Sequence, residues 1–120
     1  MHLAALEPYN GIQGHSLVPL LDNPGTTVRE QVLIEDDGQR LLKSTERRIR
    51  LRTLLTPEWR LTYYDGFPFG ELYNLRNDPH EHRNLWNDAD AQAIKGALSE
   101  RLLRTVIDQQ DRSPLPEYLA

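Results

Sequence analysis

The spacing of apolar residues changes once along this chain, and the change falls across Asn77-Asp78-Pro79. Ahead of the break, Glu71, Tyr73 and Leu75 alternate with Leu72, Asn74 and Arg76, the period of two that marks a short strand with apolar groups on both faces. Behind it, Ala91, Ile94, Leu98, Leu102 and Val106 recur at helical spacing and form one stripe. The break itself is turn chemistry. Proline fixes its own φ and pushes Asp78 out of the helical region, while Asn77 and Asp78 can bond their own backbone. The segment from Gly70 to Leu85 therefore joins a sheet half to a helical half, and the chain reads as α+β.

The sheet half resolves further. Val28 to Glu35 is a β-rich run with Val28, Val32 and Ile34 on one face and Arg29, Gln31, Leu33 and Glu35 on the other, and Asp36-Asp37-Gly38 supplies a turn. The polar stretch to Thr45 fits either loop or a ragged strand. From Glu46 to Thr56 the alternation is clearest, with Ile49, Leu51, Thr53 and Leu55 facing one way and Arg48, Arg50, Arg52 and Leu54 the other. Thr56-Pro57-Glu58 then folds Trp59 to Tyr64 back as an antiparallel partner with Trp59, Leu61 and Tyr63 on the core face. Asp65-Gly66 opens the next turn, and its Phe67-Pro68-Phe69 tip leads into Glu71 to Leu75. The expectation is a small antiparallel sheet of about four strands packed by one long C-terminal helix, capped by Asn87 or Asp88 and fading near Gln110. Six prolines and glycines between Pro8 and Gly25 mark residues 1–27 as an extended arm, with an apolar patch at Leu17, Val18, Leu20 and Leu21. Residues 28–110 form the α+β domain, and 111–120 a proline-containing tail.

Composition limits what such a domain could do. One core fits in 120 residues, but a large two-domain enzyme does not. Fourteen basic against eighteen acidic residues give a net charge of −4, which argues against nucleic acid as partner. The chain has no cysteine, hence no disulfide framework, thiolate metal site or cysteine nucleophile. No stretch is apolar enough to span a membrane, and Met1 to Pro8 lacks the basic and apolar regions of a signal peptide, so the chain as it stands is expected to be cytoplasmic.

Three segments carry a resemblance. Leu72-Tyr73-Asn74-Leu75, Asn77-Asp78-Pro79-His80-Glu81 and Asn84-Leu85 resemble the signature near the C-terminal end of sulfatases of the arylsulfatase type, with Asn74 in place of the usual Asp. Gly14-His15-Ser16-Leu17-Val18-Pro19-Leu20-Leu21 is similar to an earlier segment of that family, and Asp111-Arg112-Ser113-Pro114-Leu115-Pro116 to the close of one bacterial branch. The resemblance implies a C-terminal subdomain without its catalytic domain, and relatives that are secreted or periplasmic. It also implies a chemistry that these residues do not supply. Sulfatases use a formylglycine made from Cys or Ser in a Cys/Ser-x-Pro/Ala-x-Arg type motif beside a divalent cation. Ser113 has its proline one place early, and Ser16 lacks the following arginine. The chain is thus expected not to be an enzyme and to need no cofactor. Its partners would be further copies of itself, or a sulfatase catalytic domain.

Candidate binding residues are few. Arg48, Arg50, Arg52 and Arg60, with Arg47, concentrate positive charge on a hairpin opposed nearby only by Glu46 and Glu58. They could grip a sulfated ligand in bidentate fashion. The plainer reading is a solvated sheet face, or one that pairs with acids on the missing catalytic domain. Asp36 and Asp37 at a strand end could ligate a hard cation, although such ions draw ligands from several segments. Asp78, His80 and His82, around Glu81, are the densest potential ligands for Zn²⁺ or Ni²⁺. Against that, alternate residues of an extended chain point apart, and no second ligand pair is evident.

Overall fold

A computed structural model describes residues 5–6, 12–42 and 47–110. The elements run α1 (Val18–Asp22), β1 (Val32–Leu42), β2 (Arg47–Leu55), β3 (Trp59–Tyr64), β4 (Gly70–Asn74) and α2 (Gln92–Asp108). The four strands form one antiparallel sheet in the order β1-β2-β3-β4, an up-and-down meander, with α2 laid across one face. The α+β architecture follows the sequence reading. Its boundaries differ in instructive places.

Cross-strand register shows what the helix covers. Leu33 pairs with Leu54, Leu54 with Leu61, and Leu61 with Leu72, so one leucine from each strand lines up in a single row. Opposed residues of a sheet share a face. Leu54, Leu61 and Leu72 are 0% exposed, and Leu98 and Leu102 of α2 close over them with Ala91. Trp59, Leu85, Trp86, Ile94 and Val106 pack around this centre. The stripe of Ala91, Ile94, Leu98, Leu102 and Val106 is thus the face that α2 buries.

Counting apolar residues along β2 would put Ile49, Leu51 and Leu55 toward the core, yet the helix side is that of Arg48, Arg50, Arg52 and Leu54. One fully buried leucine outweighs three half-buried ones, because only the end of β2 carrying Leu54 lies under α2.

The opposite face carries the Val32, Leu55, Arg60, Tyr73 row and, beside it, Ile34, Thr53, Thr62 and Glu71. Here Thr53 and Thr62 are buried and share a hydrogen bond of 2.8 Å between their hydroxyls. The bond satisfies both polar groups, which burial alone would penalise.

Three boundaries need correction. The first strand does not begin at Val28 and stop at Glu35: it starts at Val32 and runs through Asp36-Asp37-Gly38, read above as a turn, into Leu42. Asp37 pairs with Arg50 and Asp36 with Leu51, and the register shifts between Asp37 and Leu41, so the irregularity appears as a bulge inside the strand. The connection to β2 falls in residues 43–46, outside the described residues. Helix α2 begins at Gln92, later than a cap at Asn87 or Asp88 requires, and its first residue is preceded by Ala91 with no side-chain cap. Asp88 instead closes a turn: its carboxylate accepts the Asp90 amide at 3.0 Å, and its carbonyl accepts the Ala91 amide. The arm is not extended throughout, since Val18–Asp22 makes one helical turn with Pro19 at its start. The tail 111–120 lies outside the described residues.

Candidate interaction and ligand-binding sites

The break that dominated the sequence becomes a loop held by its own hydrogen bonds. Asn74 Oδ1 accepts the amides of Arg76 and Asn77, both at 3.1 Å, forming the turn that stops β4. Asp78 then takes the amides of Arg83 at 2.8 Å and His82 at 3.0 Å on its two carboxylate oxygens. Those amides hold its carboxyl below the usual carboxylate range. Asn84 brings the chain back alongside β4: its Oδ1 accepts the amides of Leu72 and Trp86, and its Nδ2 donates to the Gly70 carbonyl. The Leu85 amide closes the contact on the Leu72 carbonyl at 2.8 Å. Asp78 and Asn84 of the resembling signature thus stitch the loop to itself and to the outer edge of β4.

Glu81 makes the long-range contact. Its φ of 57°, rare for a residue with a side chain, aims its carboxylate at β3. Arg60 donates to it through Nε at 2.6 Å and Nη2 at 2.7 Å, the bidentate geometry that fixes both groups. Arg60 also pairs with Glu71 at 2.9 Å, and its guanidinium lies 4.8 Å from the Tyr73 ring centre. Tyr64 donates its phenol to Glu71 at 2.9 Å; burial, and then that bond, push its pKa up to about 12.

The other arginines occupy the opposite face. Arg52 meets Glu35 at 2.6 Å and Asp37 at 2.9 Å, while Arg50 meets Asp37 at 3.2 Å and Asp65 at 3.7 Å. Of the arginines proposed to grip a ligand together, Arg48, Arg50 and Arg52 share one side of the sheet and Arg60 sits on the other. Nor is their charge opposed only by Glu46 and Glu58. The balancing acids come from β1, the turn after β3, β4 and the 78–84 loop, partners that no local pattern could reveal. Asp36 and Asp37 are neighbours on a strand and point to opposite faces, with Asp37 held by two guanidiniums.

Those guanidiniums, Arg52 foremost, lower the Asp37 pKa from 3.8 to about 2. A carboxylate with a depressed folded-state pKa adds stability above its unfolded value and loses it on acidification. The Asp37 contribution is accordingly complete above about pH 4 and disappears as the pH falls toward 2. We expect the stability difference between the native chain and Asp37→Asn, followed by urea unfolding, to vanish across that interval. A difference that persists below pH 2 would remove the charge from the explanation.

Among the described residues no group of three or more His, Asp or Glu side chains is placed to hold a metal ion, and no helix is long and apolar enough to cross a membrane. His15 lines an open cleft with Ile12, Val28, Thr105 and Gln109.

This meander of four strands, closed on one side by a C-terminal helix and with the 78–84 loop bound to its edge, is a fold found at the same scale within solved sulfatases. The fold superposes on BT4656, solved in complex with its substrate D-glucosamine-2-N,6-O-disulfate, with a TM-score of 0.77 at 23% identity, covering 98% of this chain and 24% of that one. For BT1596, a 2-O GAG sulfatase, the TM-score is 0.74 at 22% identity over 99% of this chain and 25% of that one. A phosphonate monoester hydrolase of Agrobacterium radiobacter gives 0.70 at 25% identity over 84% of this chain and 22% of the other. The chain spans about a quarter of the length of these structures. No curated protein matches it. Residues 1–108 match the model of the N-sulphoglucosamine sulphohydrolase C-terminal family, and the chain belongs to that family.

Proposed function

We propose that this chain is a non-catalytic structural subdomain that works by packing, either on a sulfatase catalytic domain or, alone, on further copies of itself. The supporting observation is apolar surface left uncovered. Val32 and Ile34 are 39% and 43% exposed on the sheet face that α2 does not cover, and Leu17, Leu21 and Phe69 are exposed outside it. Solvated apolar groups gathered on one element favour association, by roughly 25 cal/mol per Å² removed from water. The share of the relatives that the chain spans supports the same reading, because the remaining three quarters would supply the missing nucleophile and cation site. Exchange of the 1–27 arm between copies is one route to association, and pairing along a strand edge is another.

Two measurements test the proposal. The purified chain should not hydrolyse an aryl sulfate above the buffer rate, with or without Ca²⁺ or Mg²⁺; turnover surviving repurification would overturn the non-catalytic assignment. Light scattering over a concentration series should show a dimer or larger closed assembly, weakened in an Ile34→Glu variant. A monomer mass at every concentration would overturn self-association and leave the catalytic domain as the one partner.

A further inference from the structure

His80 and His82 were expected to point apart, as alternate residues of an extended chain do. Their rings instead lie side by side, with centres 5.7 Å apart and planes inclined by 50°. The residue between them causes this. Glu81 has a φ of 57°, and that left-handed step cancels the alternation of the backbone, so its two neighbours project on the same side while its own carboxylate turns inward to Arg60. The step is held from three directions. Arg60 fixes Glu81 through two hydrogen bonds, Asp78 fixes the amides of His82 and Arg83, and the Glu81 amide donates to the Asp78 carbonyl at 3.1 Å. Both imidazoles are exposed on this loop.

We propose that His80 and His82 form a bidentate site for a borderline divalent transition-metal cation, of which Zn²⁺ is the probe of choice. The dimensions agree. At a Zn–N length of about 2.0–2.1 Å, two imidazoles on one tetrahedral ion place their ring centres about 5 Å apart, so the observed separation closes with small side-chain rotations. The donor type selects the ion: imidazole suits Zn²⁺, Ni²⁺ and Cu²⁺, whereas Ca²⁺ and Mg²⁺ demand oxygen. Among the described residues no third His, Asp or Glu completes a cluster, so water fills the remaining positions and the ion stays open to exchange. The Asp78 carboxylate accepts the amides of His82 and Arg83 and so holds the loop segment that carries the second ring. Glu81 and Arg60 are positioning residues: they organise the backbone and touch no metal.

Calorimetric titration of the full chain with Zn²⁺, paired with NMR of the histidine ring protons, tests the site. The expected result is one ion per chain, with the His80 and His82 ring signals moving together. His80→Ala and His82→Ala should each weaken binding by tenfold or more, whereas His2→Ala and His15→Ala leave it unchanged. Glu81→Gly, which frees the backbone without removing an imidazole, should weaken it several-fold while circular dichroism stays native. Signals that move independently, a loss confined to one of the two histidine variants, or an equal loss with His2→Ala or His15→Ala would overturn the bidentate site.

Discussion

Replacing Leu61 with alanine should lower the unfolding free energy by about 2–5 kcal/mol, read from the midpoint of urea denaturation at unchanged slope. Leu61 is 0% exposed at the middle of the row Leu33, Leu54, Leu61, Leu72, where three strands and α2 converge. Truncation there removes contacts in several directions, and the sheet backbone cannot collapse into the gap. Arg50→Ala is the matched control, because it lies on the same face but has a side chain 56% exposed. Its paired charges are screened by water, so the change should stay within about 0.5 kcal/mol. Equal losses at both positions would mean that burial under α2 does not distinguish them.

The second large effect is expected at Gly70, from adding a single carbon. A Cβ at this position would lie 2.5 Å from the Thr62 carbonyl oxygen and 2.5 Å from Cη2 of Trp86. Neither neighbour yields cheaply. The carbonyl belongs to the centre of β3, and the indole is held edge-on to Tyr63 with ring centres 4.9 Å apart, with the Lys95 ammonium 4.7 Å from its own ring centre. Gly70→Ala should therefore cost about 3 kcal/mol, at the upper end of ordinary overpacking, and change the near-ultraviolet dichroism of Trp86. Gly96→Ala sets the opposite sign. That glycine is in α2 with open space where its Cβ would go, so the substitution should stabilise by about 0.5–1 kcal/mol through helix propensity. A tolerated Gly70→Ala would show that Trp86 has room to move.

Most of the sheet was legible because its strands announce themselves by alternation and its turns by Pro57 and Gly66. Gly66 adopts a φ of 73°, the conformation such a turn asks of glycine. The helix stripe was equally plain. What misled was local chemistry with a distant partner. Asp36-Asp37-Gly38 has the composition of a turn, but Asp37 gains two guanidiniums from β2 when the strand continues, and tertiary pairing overrides propensity. The core side of β2 was hidden for a related reason, since α2 covers only its Leu54 end. The bidentate link from Arg60 to Glu81 spans 21 residues and leaves no periodic trace. The paired histidines depend on one positive φ, which a Pro-His-Glu-His string does not declare.

The way Asn84 and Leu85 bond along β4 has a consequence for how copies of this chain could meet. A sheet of four strands has two rims. Here one is sealed by its own side chain and loop, through Leu72 and Gly70, while β1 forms the other. Among the described strands, β1 is then the rim left for addition between chains along the hydrogen-bonding direction. Two molecules meeting through β1 would leave a sealed rim at each outer end, with no template for a third. The bonded β4 rim would act as a chain terminator: any edge-to-edge growth through β1 would close at a pair instead of running on into a fibril.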